Sequence, residues 1–167
     1  VFRLSSDDMD PMDNPVKDKP EYNKYMGTPL RNIPSPVKGY KSFAEYYFKQ
    51  ATDKFKEYGI DAKFESTGQN YINGVFNEAI KLILDNSSAV KNIFERTYDK
   101  AYDKIPFNPI CKKCGKIGTT VAYEWDKKRE VIKYKCDPNA VEWAAGCGYE
   151  GEISPYNGNG KLPWKLE

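Results

Sequence analysis

The residues best suited to chemistry in this chain are its four cysteines, which follow the spacing C-x2-C-x21-C-x10-C. They are Cys111, Cys114, Cys136 and Cys147. The sequence contains no histidine, so a zinc site built here has to use four thiolates. Gly115 follows the second cysteine, and Gly146 and Gly148 flank the last, where a zinc knuckle needs residues that accept positive φ. Two such loops around a strand pair are typical of a zinc ribbon.

The alternative for the same cysteines is a set of buried thiols or disulfides. The sequence shows no charged n-region, apolar h-region or cleavage site of a secretory leader. Because disulfides are typical of secreted proteins, the pattern favours a metal. Four thiolates leave no open coordination position, so we expect a structural zinc. A ribbon of this size has little core of its own, and we expect chelation to unfold residues 107–155 while the helices persist.

Composition limits what the chain can bind. A length of 167 residues suits one or two domains, and 26 Lys+Arg against 24 Asp+Glu give a net charge of +2. A divalent ion on four thiolates would bring the total to about zero. A large uniform positive field is excluded, so nucleic-acid contact would need local patches. The apolar runs fall far short of the roughly 20 residues of a membrane span, and no membrane partner is expected.

Three segments have apolar residues at helical spacing, and their stripes are expected in the core. The stripes are Ala44, Tyr47, Phe48, Ala51, Phe55 and Tyr58; Ile72, Phe76, Ala79, Ile80 and Ile83; and Val90, Ile93, Phe94, Tyr98 and Ala101. A capping box at Ser42 and Glu45 predicts a first helix over 42–58, closed by Gly59. A second helix is predicted over 69–85, and Asn86-Ser87-Ser88 opens a third.

The remaining segments are predicted to be strands and a tether. Alternation predicts short strands at 1–4, at 60–66 and on both sides of a charged hairpin turn at 126–130, with a third ribbon strand at 148–153. Six prolines between positions 11 and 36 exclude a regular helix there, which predicts an extended tether. Its expected anchors are Tyr22, Tyr25, Leu30 and Ile33. The predicted class is α+β: a helical lobe with a short strand or small sheet, plus a four-cysteine zinc-ribbon β subdomain.

Charged and aromatic side chains supply further candidate sites. Phosphate contacts are expected from basic residues beside the first knuckle and at the hairpin tip; these are Lys112, Lys113, Lys116, Lys127, Lys128 and Arg129. The hairpin tip is the favoured contact because it should project from the ribbon, and the alternative for each of these residues is a solvated surface. Asp7, Asp8 and Asp10 follow a strand, where ligands bind in open α/β sheets, or they form an acidic turn. The tryptophans Trp125, Trp143 and Trp164 stack on bases or, as we favour, cover a core.

Several short stretches follow one another along nearly the whole chain. They are Ser6-Asp-Asp-Met-Asp-Pro11, Tyr25-Met-Gly-Thr-Pro-Leu30, Ile33-Pro34-Ser35-Pro36, Ser42-Phe-Ala-Glu45, Gly59-Ile60 with Phe64, Tyr71-x-x-Gly74 with Ile80, Cys111-x-x-Cys114-Gly115-Lys-Ile117, Cys147-Gly-Tyr-Glu-Gly151 and Gly160-Lys-Leu-Pro-Trp164. In this order they resemble the class I, archaeal-type lysyl-tRNA synthetases. Two positions depart from that pattern. The spacer between Cys136 and Cys147 is longer than in the family, and Tyr46-Tyr47 stands where the family often has a histidine.

The resemblance implies an internal segment of a larger cytoplasmic enzyme. The implied divisions are 1–40, the end of a Rossmann strand and the tether; 41–106, a helical connective region; 107–156, the zinc ribbon; and 157–167, a return linker. The family's His-Ile-Gly-His and Lys-Met-Ser-Lys-Ser types of motif are absent. This segment would therefore hold no catalytic residue and would not aminoacylate alone.

The same resemblance implies substrates and partners for the parent enzyme. These are ATP with Mg²⁺, lysine, and lysine tRNA, whose acceptor stem this segment would contact while supporting the rest of the synthetase. Ser5, Asp7 and Asp8 would lie at the substrate site. Two other functions stay open from the sequence: a stand-alone zinc-ribbon module for protein interaction, and a purely structural metal-stapled domain.

Overall fold

Two β elements position the rest of the chain: a parallel strand pair near the N-terminus and a three-stranded antiparallel sheet near the C-terminus. The structure, a computed structural model, describes residues 2–99, 101–163 and 166. In chain order the elements are β1 (Phe2–Ser6), α1 (Phe43–Glu57), β2 (Ala62–Ser66), α2 (Thr67–Ile72), α3 (Asn77–Asp85), α4 (Ser87–Tyr98), β3 (Asn108–Pro109), β4 (Thr120–Asp126), β5 (Val131–Cys136), β6 (Glu150–Ile153) and β7 (Gly160–Lys161). The predicted mixed class, with helices and small sheets, is confirmed.

The first unit is a strand–helix–strand crossover. β1 and β2 pair in parallel with Phe2 opposite Ala62, and α1 connects them. Phe55 of α1 contacts Phe2 and Phe64 on one face of the pair, with ring centroids 6.1 Å and 6.4 Å away. The strand predicted at 1–4 is found at Phe2–Ser6, although Val1 lies outside the described residues. The unit brings the carboxyl ends of two strands together.

The start of α1 follows the predicted capping box. Ser42 is the N-cap, its Oγ accepts a hydrogen bond from the Glu45 N–H at 3.1 Å, and the Glu45 carboxylate accepts one from the Lys41 N–H. Beyond the helix end, Gly59 adopts a φ of 70°. The expectation that the whole apolar stripe is core was wrong: Tyr58 is 76% exposed and Tyr47 is 40% exposed. In this chain α1 packs on one thin sheet and on the proline-rich segment, which cover only part of its apolar surface.

The single helix predicted over 69–85 is wrong, because a turn divides it into α2 and α3. Gly74 takes a φ of 75°, and a Cβ at this position would lie 2.9 Å from Asn77 Nδ2 and 3.1 Å from Asn157 Oδ1. The third helix is confirmed as α4. Its predicted stripe is only partly buried, since Phe94 is covered whereas Ile93 is 60% exposed.

The proline-rich segment forms two short 3-10 turns, Pro20–Tyr25 and Leu30–Asn32, so it is not extended throughout. The predicted anchors are nevertheless found. Tyr22 and Ile33 are buried in a small apolar cluster, and Tyr25 and Leu30 pack against it. The other buried members of this cluster are Met12, Met26 and Ala144, the last from the ribbon. The segment is therefore tied to the C-terminal half of the chain.

The main core crosses the predicted division at residue 106. Its buried side chains include Met9, Tyr71, Ile80, Leu84, Ile105, Phe107, Ile117, Ile132, Tyr134, Ile153 and Leu162. The Tyr71 hydroxyl, from α2, also accepts a hydrogen bond from the buried Leu162 N–H at 2.9 Å. The division into four segments stays a prediction. The shared core means that the helices and the ribbon stabilise each other.

The ribbon sheet is built as the sequence predicted, from β4, β5 and β6 around a turn at 126–130. The turn does not stand free of the helices. Trp125 Nε1 donates to Asp85 Oδ1 at 3.0 Å, and Lys127 Nζ lies 3.0 Å from Asp85 Oδ2 at the end of α3. Hydrogen bonds from Trp125 and Lys127 hold the pKa of Asp85 below its usual range.

A buried carboxylate joins the ends of the parallel strands. Asp8 Oδ1 accepts from the Gly68 N–H at 2.7 Å, and Oδ2 accepts from Ser66 Oγ at 2.7 Å. Arg31 Nη1 lies 3.4 Å from Oδ2. A Cβ at Gly68 would lie 2.7 Å from Asp8 Oδ1, so glycine is needed for this close approach.

Replacing Asp8 should therefore weaken the fold. We expect Asp8→Ala to lower the free energy of unfolding by about 2 kcal/mol, because the buried Gly68 N–H and Ser66 hydroxyl lose their acceptor. Urea unfolding of the metal-loaded chain measures this. The control is Asp18→Ala, at an exposed position, which should change stability by less than about 0.5 kcal/mol. Equal effects of the two substitutions would contradict the role given to Asp8.

Candidate metal centre

The four cysteine sulfurs converge on one point. All four Sγ atoms lie within 4.8 Å of one another. Cys111 Sγ is 3.7 Å from Cys147 Sγ, and Cys114 Sγ is 3.7 Å from Cys136 Sγ. A tetrahedron with metal–sulfur bonds of about 2.3 Å has edges of about 3.8 Å, which these distances match. A disulfide bond is only about 2.05 Å long, so the cysteines are thiols and not two disulfides.

The first knuckle presents Cys111 and Cys114 from one tight turn. The Gly115 N–H donates to the Cys111 carbonyl at 2.9 Å, and Gly115 takes a φ of 74° as the turn closes. The Cys111 N–H donates to the Lys116 carbonyl at 2.8 Å. The Lys112 N–H is fixed by the buried Tyr134 hydroxyl at 2.9 Å. A buried core residue thus fixes the backbone of the knuckle between its two cysteines.

The second knuckle has the same closure despite its long spacer. The Gly148 N–H donates to the Cys136 carbonyl at 2.9 Å, and Gly148 takes a φ of 73°, as Gly115 does in the first. The Gly146 N–H donates to the Asp137 carbonyl at 3.2 Å, so the two ends of the spacer between Cys136 and Cys147 lie next to each other. The insertion therefore leaves Cys136 in a ligand position. The extra length noted in the sequence does not disturb the cluster.

The inserted spacer also docks the knuckles onto the proline-rich segment. Val141, Trp143 and Ala144 belong to the apolar cluster of that segment. Lys116 Nζ donates to the Ala145 carbonyl at 2.9 Å. The Gly27 carbonyl accepts from the Ile117 N–H at 2.8 Å. The cysteine cluster is thus braced from two sides.

The pKa values of the cysteine thiols determine how many protons a bound metal ion would have to replace. Burial raises the pKa of Cys111, and burial together with the neighbouring thiols raises the pKa of Cys114 to about 12. Burial opposes ionisation of Cys147 too, but the Tyr149 N–H and the other cysteines lower its pKa to about 7. An incoming cation must displace the protons of Cys111 and Cys114 at neutral pH. Metal affinity should therefore fall as the pH falls.

The donor chemistry fits a tetrahedral metal with four sulfur ligands. The Cys147 N–H donates to Cys136 Sγ at 3.3 Å, and the buried Thr119 Oγ1 lies 3.3 Å from the same sulfur. Such contacts stabilise thiolates and fix ligand direction. No motif in the sequence indicated that Thr119 would contact Cys136.

The six predicted basic residues fall into two groups. Three are engaged by the protein itself: Lys116 by the Ala145 carbonyl, Lys127 by Asp85, and Arg129 by Glu152 with Nη1 2.9 Å from Oε2. Lys112, Lys113 and Lys128 are exposed, and no ion pair of their ammonium groups occurs within the described part of the chain. The free charges are thus on the first knuckle and at one hairpin position.

The predicted acidic residues lie where the parallel strands end. Asp8 is buried beneath Arg31, and Ser5 is exposed on β1. Lys161 Nζ donates to both carboxylate oxygens of Asp7, each at 3.0 Å, and to Asp10 Oδ1 at 2.7 Å. Lys161 was not among the candidate residues expected from the sequence. Its position in the Gly160-Lys-Leu-Pro-Trp164 stretch could have drawn attention to it.

A cleft of about 280 Å³ opens at the same strand ends. It is lined by Ser6, Asp8, Arg31, Lys41, Ser42, Glu45, Phe48, Ser66 and Gln69. Its two basic and two acidic side chains balance in charge.

Of the three tryptophans, two are placed against apolar side chains. Trp125 packs on the main core and Trp143 on the proline-rich cluster, as the core interpretation expected. Trp164 lies outside the described residues.

Comparison with known proteins identifies the family. The sequence profile described as "tRNA synthetases class I (K)" matches residues 2–167. The chain belongs to this family of class I tRNA synthetases. The match spans helices and ribbon alike, so these comparisons give no support to a stand-alone ribbon module.

Individual members of the family from archaea align over nearly the whole chain. The lysine–tRNA ligase of Methanosphaera stadtmanae is 37% identical over an alignment of 166 positions, which covers 97% of this chain and 29% of that ligase. The lysine–tRNA ligase of Thermoplasma volcanium is 34% identical over an alignment of 170 positions, which covers 99% of this chain and 31% of that ligase. The chain therefore spans less than a third of the length of these synthetases. Among the described helices, none is long and apolar enough to cross a membrane.

Removing the metal should loosen the helices as well as the ribbon. From the sequence, the helices were expected to persist without metal, but Ile80 and Leu84 share one core with Cys111 and Cys136. We expect chelation under reducing conditions to lower the free energy of unfolding by at least about 5 kcal/mol, and re-addition of zinc to restore it. Hydrogen exchange should quicken at the amides of α3 and of the ribbon.

The matched variants are Cys114→Ser, which should behave like the chelated chain, and Lys113→Ala in the same knuckle, which should not. Unchanged thermal stability after complete chelation would reject a structural metal. Loss of protection confined to residues 107–155 would reject the shared core.

Proposed function

We propose that this chain is part of a class I lysine–tRNA ligase, in which it forms the end of the first Rossmann half and the connective insertion. The observation that carries the proposal is the match of residues 2–167 to one synthetase family, with ligase relatives about three times longer. The whole protein would join lysine to lysine tRNA in the cytoplasm, with ATP and Mg²⁺ as cosubstrate and cofactor. With no histidine in the sequence, the chain lacks the His-Ile-Gly-His type of motif.

The metal in this proposal is a structural zinc held by Cys111, Cys114, Cys136 and Cys147. The spacing of the four sulfurs and the lack of any other donor type support zinc. When bound, the ion neutralises part of the thiolate charge and closes both knuckles. The zinc would not take part in lysine activation, because four thiolates leave no position for a substrate. Its contribution is to hold the ribbon against α2, α3 and the proline-rich segment.

The first knuckle is the proposed contact with the tRNA acceptor stem. Lys112 and Lys113 are exposed, adjacent, and carried by a turn that the core fixes through Tyr134. Exposed ammonium groups that form no ion pair within the described residues can bind phosphates with little loss of side-chain contacts elsewhere. Lys128 is a weaker candidate because it is a single charge. Lys116, Lys127 and Arg129 would have to leave a protein partner to bind RNA.

Ser5, Asp7 and Asp8 belong, in this proposal, to the edge of the lysine site. They stand at the carboxyl ends of a parallel strand pair, where open α/β sheets bind ligands. Their contacts restrict what they can do. Asp8 is used to hold Gly68 and Ser66, and Asp7 is bound to Lys161, so these carboxylates shape the edge of the site.

Aminoacylation by the full-length protein tests the proposed activity. We expect transfer of labelled lysine to lysine tRNA with ATP, and no transfer of ornithine or arginine at comparable concentrations. The 167-residue chain alone should show no activity, because most of the reactive site lies outside it. Failure of the full-length protein to charge lysine tRNA, or activity of the isolated chain, would contradict the proposal.

Charge reversal tests the knuckle contact in the full-length protein. The double variant Lys112→Glu/Lys113→Glu should weaken lysine-tRNA binding about tenfold or more and reduce the slope of log affinity against log salt by about two. The control is Lys17→Glu/Lys38→Glu, with the same change in charge at exposed positions on the proline-rich segment. Equal weakening by both doubles, or none by either, would reject the knuckle as the contact.

A further inference from the structure

Lys161 is a buried cation held between two carboxylates. Its side chain is 3% exposed, whereas those of Asp7 and Asp10 are 37% and 48% exposed. Its ammonium group donates to both oxygens of Asp7 and to one of Asp10, at 2.7 to 3.0 Å. A lysine that is almost wholly buried is uncommon unless it is paired in this way.

The backbone of Lys161 is paired with the strand that leads into the first cysteine knuckle. Lys161 lies in β7 and pairs with Asn108 of β3. Asn108 precedes the first cysteine, Cys111, by three residues. The neighbouring Ile110 N–H donates to the Asn159 carbonyl at 2.8 Å. On the other side, the Leu162 N–H is fixed by Tyr71. Lys161 is thus anchored at its backbone by the ribbon and by α2.

The side chain of Lys161 crosses from this anchor to the loop that follows β1. Asp7 is the first residue after that strand, and the Asp10 N–H donates to the Asp7 carbonyl at 3.2 Å, which brings the two carboxylates to one side of a tight turn. Two carboxylates so close repel each other without a shared cation. The ammonium group therefore sets both the position and the charge of this turn.

We propose that Lys161 is a positioning residue for the amino-acid side of the active site. It would hold the Asp7–Asp10 turn at the carboxyl ends of β1 and β2 in the geometry that binds lysine. This inference rests on the proposed function, because it assigns the strand ends to the lysine site. It differs from binding of the substrate by Asp7 itself, since the Asp7 carboxylate already accepts the ammonium group of the protein's own lysine.

Steady-state aminoacylation by the full-length protein tests this role, with lysine, ATP and tRNA varied in turn. In Lys161→Met the turn loses its cation, and the KM for lysine should rise about tenfold or more, while the KM for tRNA stays within about twofold. Lys161→Arg should restore much of the loss because it keeps the charge. Lys133→Met is the control: this lysine lies in β5 and is also paired with a carboxylate, but its partner is Glu124, at 2.8 Å, and not a residue of the turn.

A purely structural role would have another signature. It would lower the active fraction and the metal content of Lys161→Met without a selective change in the KM for lysine, and that result would overturn the proposal. If Lys161→Met does not fold, Asp10→Asn removes one partner of the cation at a half-exposed position and should still raise the KM for lysine selectively. An unchanged KM for lysine in that variant would also overturn the proposal. Failure of the wild-type protein to charge tRNA with lysine would instead reject the proposed function.

Discussion

Four cysteine sulfurs gathered within 4.8 Å of one another are the constraint on which the C-terminal half of this chain depends. Four uncoordinated thiols this close would lose hydration without gaining a strong partner, whereas thiolates around a divalent ion recover that cost in metal–sulfur bonds. Cys111 and Cys136 lie in the main core with Ile132 and Tyr134. An ion bound here would therefore be part of the packing that joins the ribbon to the helices.

The same half of the chain is also linked to the ends of the parallel strand pair. β3 and β7 close the ribbon at its base, and Lys161 on β7 reaches the acidic turn after β1. The cysteine ribbon and the ends of the parallel strands are thus joined by the backbone pairing of β3 with β7 and by the ion pairs of Lys161 with Asp7 and Asp10. A knuckle that is rigid at one end and a positioned turn at the other would let the insertion support tRNA contact and the lysine site together.

The elements that could be predicted from the sequence are those determined by residues close to one another along the chain. The capping box at Ser42 and the glycine after Cys114 act within a few residues, so α1 and the first knuckle could be placed from sequence alone. The break between α2 and α3 could not, because Asn77, just after the turn at Gly74, is hydrogen-bonded to Asn157, eighty residues further along the chain. The exposure of Tyr58 was missed for a related reason: a periodic stripe shows that a helix has an apolar face, but not how much of that face the same chain covers. The pairing of Lys161 with Asp7 likewise depends on residues far apart in sequence.

The most direct test of the metal centre is X-ray absorption at the zinc edge of the chain purified under reducing conditions. The account predicts one zinc per chain with a single shell of four sulfurs at about 2.3 Å. A shell containing nitrogen or oxygen ligands, a metal content well below one per chain after zinc loading, or cysteines joined as disulfides would contradict it.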